Sequence, residues 1–336
     1  MFRKSFQLLL PILLLTSSCV TKKAEFSHIT GFTQGTTYSI TFESRFKTGS
    51  VQAGIEKILH DIDMSLSIYN DSSIISKMNR NVDVLADAYF IDVFNKSEEL
   101  SELSGGAFDI TVGPLVRSWG FGPDNTKSFR KEKLDSLLKL VGYRKIKLVN
   151  RHLVKDDPAI FIDVNAIAQG YTVDVVARYL SDLGMKNFLV EIGGEVRVKG
   201  KKGDVPWKIG IDKPFDNNLD PGSNLQAIIK LTDEALATSG NYRKFYVEDG
   251  VKYSHTIDPA TGYPAKNTLL SATILAPDCT TADGVATACM VLGLEKAINL
   301  VSEMKGIEAY FVYSDLDGNY AGWISRSLNE RIEELK

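Results

Sequence analysis

The sequence predicts an α+β fold, with mixed or antiparallel sheets packed against helices in a single compact catalytic unit with two lobes. Three observations lead to it. Some stretches carry apolar residues at helical spacing, while others are β-branched and aromatic. The two kinds do not alternate in the strict order that a parallel βαβ sheet needs. From Gly31 onward no Pro/Ser-rich linker, low-complexity block or repeat divides the chain.

The elements follow in order. Residues 1–18 are laid out as an export signal: Arg3 and Lys4, then the apolar run Leu8–Leu15 interrupted by Pro11, then the small residues Thr16, Ser17 and Ser18. This run is too short to span a bilayer as a mature helix. Cys19 directly after the small residues resembles the lipidation site of a bacterial lipoprotein, although Thr16 stands where Leu is usual. The alternative is an ordinary signal cleaved near Ser18, with Cys19 incidental. Residues 19–28 read as a polar tether and residues 29–336 as the catalytic domain.

Thr36–Phe42 reads as a strand. Val51, Ile55, Ile58, Leu59 and Ile62 are spaced as a helix, and so are Tyr89, Val93, Leu100 and Leu103 before the breaker Gly105-Gly106. Asn165–Leu183 is a further helix, ended by Gly184. Phe188–Ile192 and Val196–Val198 flank Gly193-Gly194 as a hairpin. Strands follow at Trp207–Ile211, Ala227–Leu231, Phe245–Val247 and Leu270–Leu275. Then come helices at Thr281–Leu292 and Leu294–Met304, joined at Gly293, and a strand at Ile307–Tyr313.

Composition excludes some functions. A hydrophobic content of 44% over 336 residues is that of a globular protein, not a multi-span membrane protein. The formal charge of −3 argues against a nucleic-acid binder. Removing Arg3 and Lys4 with the signal leaves 37 basic residues against 42 acidic ones, or −5, so membrane attachment would rest on acyl chains at Cys19. The two other cysteines, Cys279 and Cys289, lie ten apart and form neither a zinc pattern nor a redox pair. They are expected to be free thiols.

Seven short segments hold more Gly, Asp and Thr than core packing needs: Gly31–Tyr38, Gly106–Gly113, Asp163–Tyr171, Glu191–Glu195, Leu236–Tyr242, Ser254–Gly262 and Ala282–Thr287. Glycine lets backbone N–H groups approach an anion, and the hydroxyls add donors. Each could be a plain turn; together they point to a polyanionic ligand. Neither a dinucleotide-binding G-x-G-x-x-G after a strand, nor a P-loop, nor a G-x-S-x-G elbow is present. His28, His60, His152 and His255 form no close pair, so a hard cation held by oxygen is a better candidate than zinc. Asp283 and Thr287, four apart on a helix, share a face and could hold Mg²⁺. Alternatively, Asp283 only favours the helix N-terminus.

In order, these segments resemble the FAD:protein FMN transferases of the ApbE family, from about Gly31 to Met304. The most specific pieces are Gly106–Pro114, Ala237–Tyr242, His255–Gly262 and Ala282–Thr287. The resemblance implies an ApbE-like fold and a site to match. It places Tyr69 on the flavin and lines the FAD site with Gln34, Ala107, Phe108, Asp109, Asp163, Gln169, Ser239, Thr256 and Ile257. It assigns the metal to the Ala166 carbonyl, Asp283 and Thr287, and puts His255 near the reacting phosphates. It further implies Mg²⁺ as cofactor, FAD as substrate, and exported acceptor proteins of membrane redox complexes as partners, with the enzyme lipid-anchored on the extracytoplasmic face of a bacterial membrane. This chain departs from the family pattern at Gln34, where Met is usual, at Gln169, where Lys is common, and at Asn165, which replaces a frequent Ser. Losing the lysine charge at 169 bears on diphosphate binding.

The chemistry that follows is transfer of the FMN phosphoryl group to a Thr or Ser hydroxyl, with His255 and Asp283 as candidate bases. An imidazole ordinarily titrates at about 6.5 and suits the task better than a metal-bound carboxylate. Two other readings remain: an FAD pyrophosphatase giving FMN and AMP, which would use the same metal site, and a non-catalytic flavin-binding lipoprotein, which needs no metal pair.

Overall fold

The computed structural model describes residues 25–335 apart from 44–46, 123–126, 216–217, 219–221, 243–244 and 249–250. The predicted export signal, Cys19 and most of the tether lie outside the described residues.

The chain enters through a hairpin, β1 (Phe26–Thr33) and β2 (Thr36–Glu43), paired in full register from Phe26↔Glu43 to Thr33↔Thr36. Strand β1 therefore begins three residues before the boundary at 29 set by composition. The Phe26 ring packs edge-on against Trp207, with centroids 5.8 Å apart, which ties this end down. Helices α1 (Thr48–Leu66), α2 (Ile74–Asn79) and α3 (Ala88–Leu103) follow, the last two capped by Ser73 and Asp87. Short helices α4 (Gly113–Ser118) and α5 (Leu134–Leu138) lead to a small hairpin, β3 (Ile146–Val149) and β4 (His152–Lys155). Helix α6 (Asn165–Asp182) feeds a second hairpin, β5 (Phe188–Ile192) and β6 (Glu195–Lys199).

Next come β7 (Trp207–Asp212), β8 (Leu225–Leu231), β9 (Ala235–Gly240), β10 (Phe245–Glu248), β11 (Val251–Ser254) and β12 (Leu269–Ala276). The chain closes with α7 (Cys279–Leu292), α8 (Leu294–Glu303), β13 (Glu308–Ser314), β14 (Tyr320–Ile324) and β15 (Ile332–Glu334).

Eight strands form one sheet in the order β1-β2-β5-β6-β9-β12-β13-β14, with every neighbouring pair antiparallel. The predicted mixture of antiparallel sheet and helices is thus the architecture found. Both faces of the central strands are covered, which is why β12 is apolar almost throughout (Leu-Leu-Ser-Ala-Thr-Ile-Leu-Ala) instead of alternating. On one face Ile29, Tyr38, Ile40, Phe42, Val190 and Ile192 meet α1 and α6. On the other, Val196, Val198, Leu236, Leu275, Tyr310 and Val312 meet the three-stranded sheet β15-β8-β7.

A smaller aromatic lobe joins α4, α5 and the β10–β11 hairpin. Trp119 stacks on Phe129 at 3.8 Å and on Tyr253 at 5.4 Å, and its indole N–H donates to the Gly262 carbonyl at 2.8 Å. Cys279 and Cys289 are buried free thiols, as expected.

Candidate active site

Helices α6 and α7 pack so closely that only glycine fits between them at residue 170. A Cβ there would stand 2.4 Å from the Cys279 carbonyl oxygen and 2.7 Å from the Asp283 Cβ. The close approach lets the Gly170 N–H donate to Asp283 Oδ2 at 3.0 Å. In a regular helix that N–H would be taken by the Ala166 carbonyl one turn earlier. The Gly170 N–H thus ties the backbone of α6, one turn after Ala166, to the Asp283 carboxyl of α7. One turn along α7, Thr287 Oγ1 lies 3.4 Å from Ser239 Oγ of β9. Asp283, Thr287 and Ser239 thus lie where α6, α7 and β9 meet, and Ala166 precedes Gly170 by one turn on α6.

Asp174, one turn beyond Gly170 on α6, fixes the start of α7. Its carboxylate accepts from the Cys279 N–H (3.0 Å), the Thr280 N–H (2.8 Å) and the Thr280 hydroxyl (2.5 Å), and it pairs with Arg197 of β6. Asp278 caps the same helix through the Thr281 N–H at 2.8 Å. These contacts set the rotation of α7 and so the aim of Asp283 and Thr287.

Asp283 is buried. Burial first, then the negative charge of Glu195 and that of Asp174, hold its carboxyl well above the ordinary carboxylate range, against the opposing Gly170 hydrogen bond. A buried carboxyl among acids is a position that a cation relieves. Among the described residues no group of three or more His, Cys, Asp or Glu could hold a metal. A cation here would draw on one carboxylate plus carbonyl and hydroxyl oxygen, the donor set that suits Mg²⁺ and not zinc.

The β1–β2 turn closes one side. Gln34 and Gly35 both have positive φ, 50° and 74°, as a two-residue hairpin turn requires. Gln34 Nε2 donates to Thr172 Oγ1 of α6 at 2.7 Å. Gln169 Nε2 lies beside Gly193 of the β5–β6 turn, where a Cβ would meet it at 2.9 Å and Glu195 Oε2 at 3.2 Å. Gln34 is thereby held against α6, and Gln169 lies beside Glu195, whose charge acts on Asp283.

At the head of α6, the Asn165 N–H donates to Asp163 Oδ1 at 2.9 Å, and the Asn165 amide reaches the Tyr69 hydroxyl at 3.4 Å. Tyr69 is 63% exposed, an aromatic face open to a ligand. The Asp163 N–H donates to the Ile110 carbonyl at 2.8 Å, which ties this end to the segment holding Ala107, Phe108 and Asp109.

Asp109 is an anchor for that segment. Its oxygens accept from the Thr111 N–H (2.7 Å), the Thr111 hydroxyl (2.6 Å) and the Tyr143 N–H (2.8 Å), while burial pushes its carboxyl above the ordinary value. Phe108 is 2% exposed and packs beside Gly284 of α7, so it backs the site from within the core. Ala107 is half-buried at the start of the segment.

His255 stands on the aromatic lobe, its ring edge-on to Phe121 at 6.3 Å. Thr256 is half-buried and its carbonyl accepts from the Ala265 N–H at 2.8 Å, while Ile257 is buried against the lobe's core. Sequence reasoning missed Gly170 and Asp174, although each left a signal: a glycine inside a helical run, and an acid in the apolar stretch Val173–Ala177.

The α+β fold thus holds a buried carboxyl, Asp283, at the junction of two helices and a strand. The ApbE family model matches residues 34–311, and the chain belongs to the ApbE family. An FAD:protein FMN transferase of Vibrio cholerae is 39% identical over 315 residues, 91% of this chain and 92% of its own length. One of Haemophilus influenzae is 37% identical over 316 residues, 89% of each. Among solved structures, the flavin transferase ApbE from Vibrio cholerae matches with a TM-score of 0.82 at 37% identity, covering 92% of this chain and 99% of that one. The apo flavinyl transferase ApbE of Pseudomonas stutzeri gives 0.82 at 31% identity, covering 93% and 98%.

Proposed function

We propose that this chain transfers the FMN moiety of FAD to a Thr or Ser hydroxyl of an exported protein, releasing AMP, with Mg²⁺ as cofactor. Similarity over nine-tenths of the chain to FAD:protein FMN transferases supports flavin transfer as the reaction. The observation that supports the rest is the buried Asp283 carboxyl meeting the α6 backbone at Gly170, with Thr287 one turn further along α7.

Asp283, Thr287 and the Ala166 carbonyl would hold the ion, which when bound neutralises and polarises the diphosphate. The chain's own residues do the positioning. Tyr69 takes the flavin ring, the head of α6 with Asp163 and Gln169 takes the body of FAD, and Ser239 supplies a hydroxyl donor. The acceptor oxygen bonds to the FMN phosphorus as the bond to AMP breaks, so the catalytic gain is alignment and charge balance. The acceptor proton passes to His255. Lipidation at Cys19 would hold the enzyme on the extracytoplasmic face of a bacterial membrane, near exported domains of redox complexes.

The test is incubation with FAD, Mg²⁺ and an exported fraction of the same cell, followed by mass analysis for an FMN adduct. An adduct that a chelator prevents is expected, and Asp283→Ala should abolish it while retaining some bound FAD. No adduct on any exported protein, with FAD bound and metal present, would refute transfer. AMP released without an acceptor would favour hydrolysis.

A further inference from the structure

The chain's charge is unevenly placed. Residues 127–155 hold ten Lys and Arg against Glu132 and Asp135, a local +8 in a chain of −3, so all other residues together carry −11. Asp156 and Asp157 end the stretch. Arg130, Lys131, Lys133, Lys139, Arg144 and Lys147 are exposed, and none of them forms an ion pair among the described residues. Lys145 Nζ donates to the Lys139 carbonyl at 2.6 Å, which folds α5 toward β3.

This basic belt borders the site on two sides. The Tyr143 N–H holds Asp109, the Gly142 N–H donates to Thr111 Oγ1 at 2.7 Å, and Leu134 and Leu138 of α5 close on Gly262 at the end of the His255 segment. Apolar surface continues the belt. In the β3–β4 hairpin Lys147 pairs with Val154 and Val149 with His152, so these four share its outward face, where Val149 and Val154 are exposed. Exposed Val82 and Leu85 flank Asp83, which meets His152 at 2.8 Å beside a cleft of about 260 Å³.

Resting on the proposed transfer to exported proteins, we propose that this belt is the docking surface for the acceptor protein, which presents an acidic face with some apolar side chains beside its hydroxyl. Charge complementarity and continuity with the site favour this occupant. A diphosphate needs only one or two cations inside the cleft, whereas this belt lies outside it and mixes charge with valines.

The test is the variant Lys133→Glu/Lys139→Glu/Lys147→Glu, all exposed positions outside the proposed catalytic machinery. Its KM for the acceptor found by the adduct assay should rise on the order of tenfold at low salt, with the gap narrowing at high salt, while its Kd for FAD stays unchanged. A labelled 20-residue peptide of alternating acidic and Leu residues provides a binding readout independent of transfer. It should bind the parent and not the variant. An unchanged acceptor KM, or equal peptide binding, overturns the proposal. So does a loss confined to FAD affinity, which would make the belt a guide for FAD, or a loss confined to binding of vesicles containing phosphatidylglycerol. If the parent itself yields no adduct but binds the peptide through the belt, it is the transfer reading that has failed.

Discussion

Gly170→Ala tests the contact on which the site depends. The added methyl would stand 2.4 Å from the Cys279 carbonyl oxygen, where ordinary contact begins at 3.4 Å, so α6 and α7 must part by about 1 Å. Overpacking of this kind costs about 2 kcal/mol. Stretching the 3.0 Å hydrogen bond to the Asp283 carboxylate removes about 2 kcal/mol more. Alanine's better helix propensity returns about 1 kcal/mol. The net loss is about 3 kcal/mol, which for a chain of 336 residues lowers Tm by about 4 °C. A 1 Å displacement of Asp283 also costs on the order of a hundredfold in turnover. Thermal unfolding monitored by circular dichroism, together with adduct formation under saturating FAD and Mg²⁺, reads both effects. A variant with the parent's Tm and turnover would show that the two helices do not need their close approach, and the account of Asp283 would fall.

Three further outcomes follow from other contacts. Asp174→Asn removes the charge that pairs with Arg197 and holds two N–H groups of α7; a loss of about 3 kcal/mol is expected, seen as a Tm several degrees lower. Gln169→Lys should tighten FAD binding severalfold by restoring a cation near the diphosphate, measured by flavin fluorescence titration. Burial holds the Glu191 carboxyl above its ordinary value. Such a group costs stability increasingly as pH rises from its unfolded value through its folded one, so Glu191→Gln should gain on the parent at pH 8 and lose that gain at pH 4, read by Tm across pH.

Much of the fold was legible in the sequence. The helix expected at Asn165–Leu183 is α6, the hairpin around Gly193-Gly194 is β5–β6, and Leu294–Met304 differs from α8 by one residue. Each carries a strong period or a glycine at a positive φ, information that is local. Strand β1 was missed because only Ile29 of Phe26–Thr33 is fully buried, and Gly31 interrupts the run to admit the Tyr38 ring. The β3–β4 hairpin was missed because its turn places Asn150 and Arg151 at positive φ without a glycine to announce it.

At the site, the Asp283–Thr287 face could be read from a spacing of four. The grip of Asp174 on Thr280 could not, because 106 residues separate the partners. Family resemblance supplied Asp109 as a ligand contact, while the structure adds its work as a loop anchor, which no periodicity encodes.

The β1–β2 hairpin has a mechanical consequence. Phe26, where the described fold begins, lies at one end of an eight-residue strand, and the Gln34 turn lies at the other, about 25 Å away at the usual rise of an extended chain. A force applied through the N-terminus is thus taken up by the Phe26–Trp207 end of the hairpin. The enzyme should withstand being pulled, fused or immobilised at that end with its reacting groups undisturbed.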